Sequence, residues 1–90
     1  MLIVSQDRET IINFNNIVSI YVIRDVNSME KGLEHYNIDF STNYDINFVA
    51  GTYATEERAK EVLREIIGKY VCANNDYGYV ENVVYEMPKE

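Results

Sequence analysis

Few residues in this chain are of a type to do chemistry. His35, Asn37 and Asp39 recur at every second position, which on a β-strand lays all three on one face. A histidine and a carboxylate so placed could begin a metal site. Ligands two residues apart along a strand are about 6.5–7 Å apart at Cα, so the site would need a donor from another strand. Zinc takes three or four N, S or O ligands, and the chain has no second histidine. The row reads as the wet face of a strand, and no metal is expected. Cys72 and His35 are the one thiol–imidazole pair available. A catalytic thiolate is favoured at a helix N-terminus, whereas Cys72 falls near a helix C-terminus, where the dipole opposes it. It reads as a small residue packing the last turn. Glu56, Glu57, Glu61 and Glu65 spread along a solvated helix face, where nothing separates their pKa values as an acid–base pair requires. Gly32, Gly51, Gly68 and Gly78 make neither a Walker spacing nor a Gly-x-Gly-x-x-Gly run. No catalytic residue, cofactor site or metal ligand is expected. Tyr77, Tyr79 and Tyr85 gather aromatics near the C-terminus. Tyrosines favour interfaces because they bury much area and keep a polar tip. These three are the candidate interaction surface, with coverage of the far side or an edge of a sheet as the alternative.

The elements that must position these residues can be read from hydrophobic periodicity. Leu2-Ile3-Val4 forms a short strand, and Thr10 to Phe14 a second. Asn15-Asn16 then suits a type I′ hairpin turn, which needs positive φ at both central residues. Ile17 to Arg24 is β-branched almost throughout. Val18, Ile20 and Val22 alternate with Ile17, Tyr21 and Ile23, so both faces are apolar and the strand is expected to be central or covered on each side. Asp25 to Gly32 reads as a polar loop. From Leu33 to Thr42, Tyr36, Ile38 and Phe40 alternate with His35, Asn37, Asp39 and Ser41. Thr42-Asn43 turns the chain, and Tyr44, Ile46, Phe48 and Ala50 alternate with Asp45, Asn47 and Val49. These two strands form a hairpin with one buried and one wet face.

The helix has the clearest signature. Thr55 can cap it, and Glu56 and Glu57 suit the positive end of its dipole. Ala59, Val62, Leu63, Ile66, Ile67, Tyr70 and Val71 make one apolar stripe. Glu56–Lys60 and Glu65–Lys69 are spaced to pair, and Gly68 costs about 1 kcal/mol against alanine. Such a helix is marginal alone. Burying each large stripe residue contributes about 1.5–3 kcal/mol, so helix and sheet need each other. Asn74-Asn75-Asp76 ends the helix. Tyr79 to Met87 is β-rich enough to return as a short final strand, which Pro88 would stop. The expected fold class is α+β: an antiparallel β-meander of about five strands packed on one long C-terminal helix, with room for that last strand. A pleckstrin-homology-like roll has the same order of elements but needs more chain.

Ninety residues make one domain, 1–90. A chain of this size buries only about 60–65% of its unfolded surface, and a deep active site would compete with its single core. No apolar run approaches the roughly 20 residues of a membrane span. The N-terminal Met1–Asp7 stretch lacks the features of a signal peptide and reads as a strand. The single cysteine fits the reducing cytoplasm. The net charge is −7, and Arg58, Lys60 and Arg64 are interleaved with glutamates. Neither nucleic acid nor an anionic membrane finds a basic track here.

Four stretches carry a resemblance: Ser5-Gln6-Asp7, Asn16-Ile17-Val18-Ser19-Ile20-Tyr21, Gly51-Thr52-Tyr53-Ala54-Thr55-Glu56-Glu57-Arg58-Ala59-Lys60-Glu61-Val62-Leu63, and Tyr85-Glu86-Met87-Pro88. The pattern, spanning most of the chain, resembles a group of short uncharacterised proteins of Gram-positive bacteria, some found near phage genes. The resemblance implies a cytoplasmic bacterial accessory protein and carries no activity or site residue. The function expected is a non-catalytic protein-interaction or accessory module whose partner is another protein or a second copy. The alternative is an acidic, phage-type regulator that blocks a basic surface of its partner. A small enzyme ranks behind both.

Overall fold

The structure, a computed structural model, describes residues 1–26, 34–42, 46–75 and 83–90, with all of their side chains except those of residues 26 and 72–75. The fold is α+β. Strands β1 (Leu2–Val4) and β2 (Ile11–Asn13) lead to a 3₁₀ turn at Phe14–Asn16. Then follow β3 (Ile17–Val26), β4 (Glu34–Thr42), β5 (Asn47–Tyr53), helix α1 (Glu56–Asn75) and β6 (Val84–Glu86). The short final strand therefore forms, and the helix is not the last element. No helix among the described residues is long and apolar enough to cross a membrane.

The strands form two three-stranded sheets instead of one meander, in the orders β2-β1-β6 and β3-β4-β5. β1 pairs antiparallel with β2 and parallel with β6, so Ile3 stands between Ile12 and Tyr85. The chain leaves the first sheet at Asn15-Asn16, where no type I′ turn forms. The Asn13 side chain accepts the Asn15 N–H at 3.0 Å, and the Ile17 N–H closes onto the Phe14 carbonyl. Asparagine can satisfy nearby backbone in this way without positive φ. The turn redirects the chain into a second sheet.

Two bulges set the faces of that sheet. Ile17 opposes Thr42 and Ser19 opposes Ser41, leaving Val18 as the extra residue. A bulge shifts the alternation by one. Ile17, Ile20 and Val22 consequently pack on the core, while Val18 is 61% exposed. Among the described residues β3 is thus an edge strand with one apolar face inward, and not the central or doubly covered strand its composition suggests. It also continues past Arg24 to Val26, and the rest of the expected loop lies outside the described residues. In β5 the extra residue is Ala50, between the Ile38–Gly51 and Asp39–Val49 pairs. The strand runs on to Tyr53, beyond the expected end at Ala50, and buries Ala50, Gly51 and Tyr53. Gly51 has to be glycine for packing reasons. A Cβ there would lie 2.9 Å from the Tyr53 ring and hydroxyl.

Thr55 caps α1 as expected, its hydroxyl accepting the Arg58 N–H at 3.1 Å. Glu56 pairs with Lys60 at 2.7 Å. Glu65 instead accepts the Tyr85 hydroxyl at 3.1 Å, and no Glu65–Lys69 pair forms among the described residues. The buried stripe is narrower than its periodicity suggests. Ala59, Val62 and Ile66 are fully buried, while Ile67, Tyr70 and Val71 are exposed. One core joins these three helix residues to Ile3, Ile12 and Met87 from the first sheet and its continuation, and to Ile38, Phe40, Ala50 and Tyr53 from the second.

The Ser5–Thr10 turn couples the two sheets. Arg8 is the sole non-glycine residue with positive φ among those described, at 66°. Its guanidinium donates to the carbonyls of Ser5 at 3.1 Å and Met87 at 2.7 Å, which helps hold the strained conformation. Gln6 reaches the other sheet. Its backbone N–H donates to the Ala50 carbonyl at 2.9 Å. Its side-chain amide accepts the Thr52 N–H at 2.7 Å and donates to the Thr52 carbonyl at 2.8 Å.

Candidate functional site: an open sheet face

The face of β3-β4-β5 that points away from the core carries the residues the sequence singled out on β4. Register sets it out in rows: Ser19, Ser41 and Asn47; Tyr21, Asp39 and Val49; Ile23, Asn37 and Thr52; and Asp25 opposite His35. The alternation of β4 thus places His35, Asn37 and Asp39 together as expected. Ile23 is 40% and Val49 51% exposed, so large apolar side chains of both edge strands meet solvent beside these polar groups.

Hydrogen bonds fix part of the face. The Thr52 hydroxyl donates to Asn37 Oδ1 at 2.9 Å, and the hydroxyls of Ser19 and Ser41 are bonded to each other. Asp39 is the exception. Its Oδ1 is buried and has no hydrogen-bond partner among the described residues. Burial pushes its carboxyl above the ordinary aspartate range, and the negative charge of Asp25 adds to the effect. Among the described residues the acidic groups on this face are Asp25 and Asp39, with His35 opposite Asp25. Among the described residues no three His, Cys, Asp or Glu side chains gather closely enough to hold a metal ion.

The tyrosine surface is divided. Tyr77 and Tyr79 lie outside the described residues, and Cys72 belongs to α1 at a position whose side chain is not among those described. Tyr85 is half-buried and packs against the core, with its hydroxyl committed to Glu65. Burial, reinforced by that bond, raises the Tyr85 phenol above its usual value. Tyr53, whose hydroxyl donates to the Pro88 carbonyl at 2.8 Å, is pushed up to about 12, chiefly by burial. Both tyrosines therefore hold the C-terminal segment in place.

A cleft of about 670 Å³ opens where the start of α1 meets β4, lined by Glu34, Tyr36, Ala54, Thr55, Glu56, Glu57 and Lys60. Its charged groups are largely committed: Lys60 to Glu56, and Glu34 to Arg24 of β3. Arg24 holds the Glu34 carboxyl below its usual value through their hydrogen bond. Three carboxylates at the mouth oppose the anion that a helix N-terminus would otherwise attract.

Sequence reasoning found the β4 row and placed Val49 on the wet face of its hairpin, but did not join half-buried Tyr21 and exposed Ile23 to them. The alternation of Val49 with the inward Phe48 was what placed it there. Tyr21 and Ile23 were hidden by the apolar run of β3. Comparison of the chain with protein-family models, with curated proteins and with solved structures gives no match.

Proposed function

We propose that the protein is a non-catalytic interaction module and that its working surface is the open face of β3-β4-β5. The observation carrying this reading is the pairing of exposed Ile23 and Val49 with a central carboxylate that lacks a partner among the described residues. Single exposed apolar residues are ordinary on a protein surface, whereas apolar groups gathered round a desolvated polar one suit an interface. The working compartment of this reading is the cytoplasm. A second reading keeps the same surface and makes the protein an acidic blocker of a basic partner surface. The placement of Asp25 and Asp39 on the face favours it.

The test is partner capture with a surface variant. The wild-type chain and a variant carrying Ile23→Lys and Val49→Lys are expressed in the native host and purified at low and high salt. Both positions are exposed, so unfolding midpoints are expected to agree. A stoichiometric partner retained by the wild type and lost by the variant supports the reading. An equally retained partner, or none at either salt, overturns it. Capture that falls steeply with salt selects the acidic blocker.

A further inference from the structure

The two edges of the β3-β4-β5 sheet are treated differently. At β5 the Gln6 side chain bonds both backbone groups of Thr52, as a neighbouring strand would. β3, ten residues long, has β4 on one side and no strand on its other side among the described residues. Proteins commonly blunt such edges with lysine, proline, inward charges or bulges. Ile17–Val26 contains neither lysine nor proline. Its bulge sits at the Val18 end, and its one cation, Arg24, is bonded to Glu34. Ser19 to Ile23 is regular, and no strand or side chain among the described residues caps it.

We infer that β3 is a docking edge that accepts an extended strand from another protein, with Lys or Arg alternating with apolar residues. The inference rests on the interaction reading above and names the partner's chemistry. An added strand completes the backbone ladder of β3, and its alternate side chains fall on opposite faces. On the open face they stand beside Ser19, Tyr21, Ile23 and Asp25, with Asp39 directly across from Tyr21. Cationic side chains there meet two carboxylates, and their aliphatic stems cover Tyr21 and Ile23. On the other face they stand beside Ile20 and Val22, which pack on the core, and apolar side chains extend that packing. A second copy fits less well, because it brings the same acids and the same net charge of −7.

The experiment titrates the ¹⁵N-labelled full chain with a synthetic peptide of alternating Lys and Val, about as long as β3. Its Glu/Val counterpart and the fully N-methylated Lys/Val analogue serve as controls. The Lys/Val peptide is expected to shift the amides of Ile17–Val26 and to lose affinity with salt. The Ile23→Lys variant and the N-methylated peptide are each expected to bind at least about tenfold more weakly. Equal binding of the N-methylated peptide, shifts confined to Val49 and Thr52, or no binding of any peptide overturns the edge assignment. None of these outcomes bears on partner capture, so the broader reading stands or falls separately. Equal binding of the Glu/Val peptide overturns the cationic chemistry. A dimeric mass with β3 amides protected shows a second copy as the occupant and overturns the proposed one.

Discussion

Asp39 shows what a single position on the open face costs the fold. Its Oδ1 is buried without a partner among the described residues, and its carboxyl is raised by burial and by Asp25. A carboxyl raised in the fold above its unfolded value of about 3.9 favours folding when protonated. That contribution is fully present below the unfolded pKa and is lost as pH rises through the folded one. Asp39→Asn removes the charge and should therefore be more stable than the wild type at neutral pH. The gap should close as pH falls below about 3.9. Chemical denaturation of both proteins across that range checks this, and a gap independent of pH refutes the electrostatic account. His35, Asn37 and Asp39 were legible as one face because they alternate with Tyr36, Ile38 and Phe40 and because both bulges lie on the neighbouring strands, not on β4. The burial of one Asp39 oxygen was not legible, because it depends on neighbours that a single strand cannot reveal.

Among the elements, α1 was the most legible and the ends of the strands the least. Its Thr55 cap and its Ala59, Val62 and Ile66 contacts follow from chemistry local to one segment. Ile67, Tyr70 and Val71 share that periodicity yet stay exposed, since a period shows which face can be buried and not how far the sheet extends beneath it. Gly68 lies in this exposed half, and a Cβ there would meet nothing within 4 Å. Gly68→Ala should therefore stabilise the protein by roughly 0.5–1 kcal/mol, through helix propensity and a less flexible unfolded chain. A thermal melt reads this as a higher midpoint. A lower midpoint would show that this face of the helix is occupied. The β3 bulge explains why the faces of that strand were misread, and the β5 bulge falls at the end of the stretch that was read. One extra residue reverses inside and outside for the rest of a strand, and neither Val18 nor Ala50 differs in type from its neighbours. The Asn15-Asn16 turn failed for a related reason. Asparagine supports both a positive-φ hairpin and a side-chain-capped turn, and only the position of the next strand decides between them.

For the whole molecule, the decisive relation is between the two sheets. The sequence order of strands, helix and short strand suggested one meander. It could not show that β6 would return beside β1 in parallel, because such a pairing joins the two ends of the chain. The first sheet has short strands and would be weak alone. Its Ile3 and Ile12, with Met87 just beyond β6, enter the same core as Ile38, Phe40 and the helix residues. Met87 is fully buried, its N–H bonds the Val4 carbonyl at 2.9 Å, and its carbonyl receives Arg8. Met87→Ala should accordingly cost about 2–5 kcal/mol, a large share of the roughly 5–15 kcal/mol available to a small domain. The loss should not be confined to the first sheet. Far-UV circular dichroism and tyrosine fluorescence should give coincident unfolding transitions in both wild type and variant, and hydrogen exchange should accelerate in β4 as well as β1. If exchange in β4 stayed slow while β1 opened, the sheets would be independent units. Gln6 and the shared core would then not couple them, and the open face would rest on β3-β4-β5 and α1 alone.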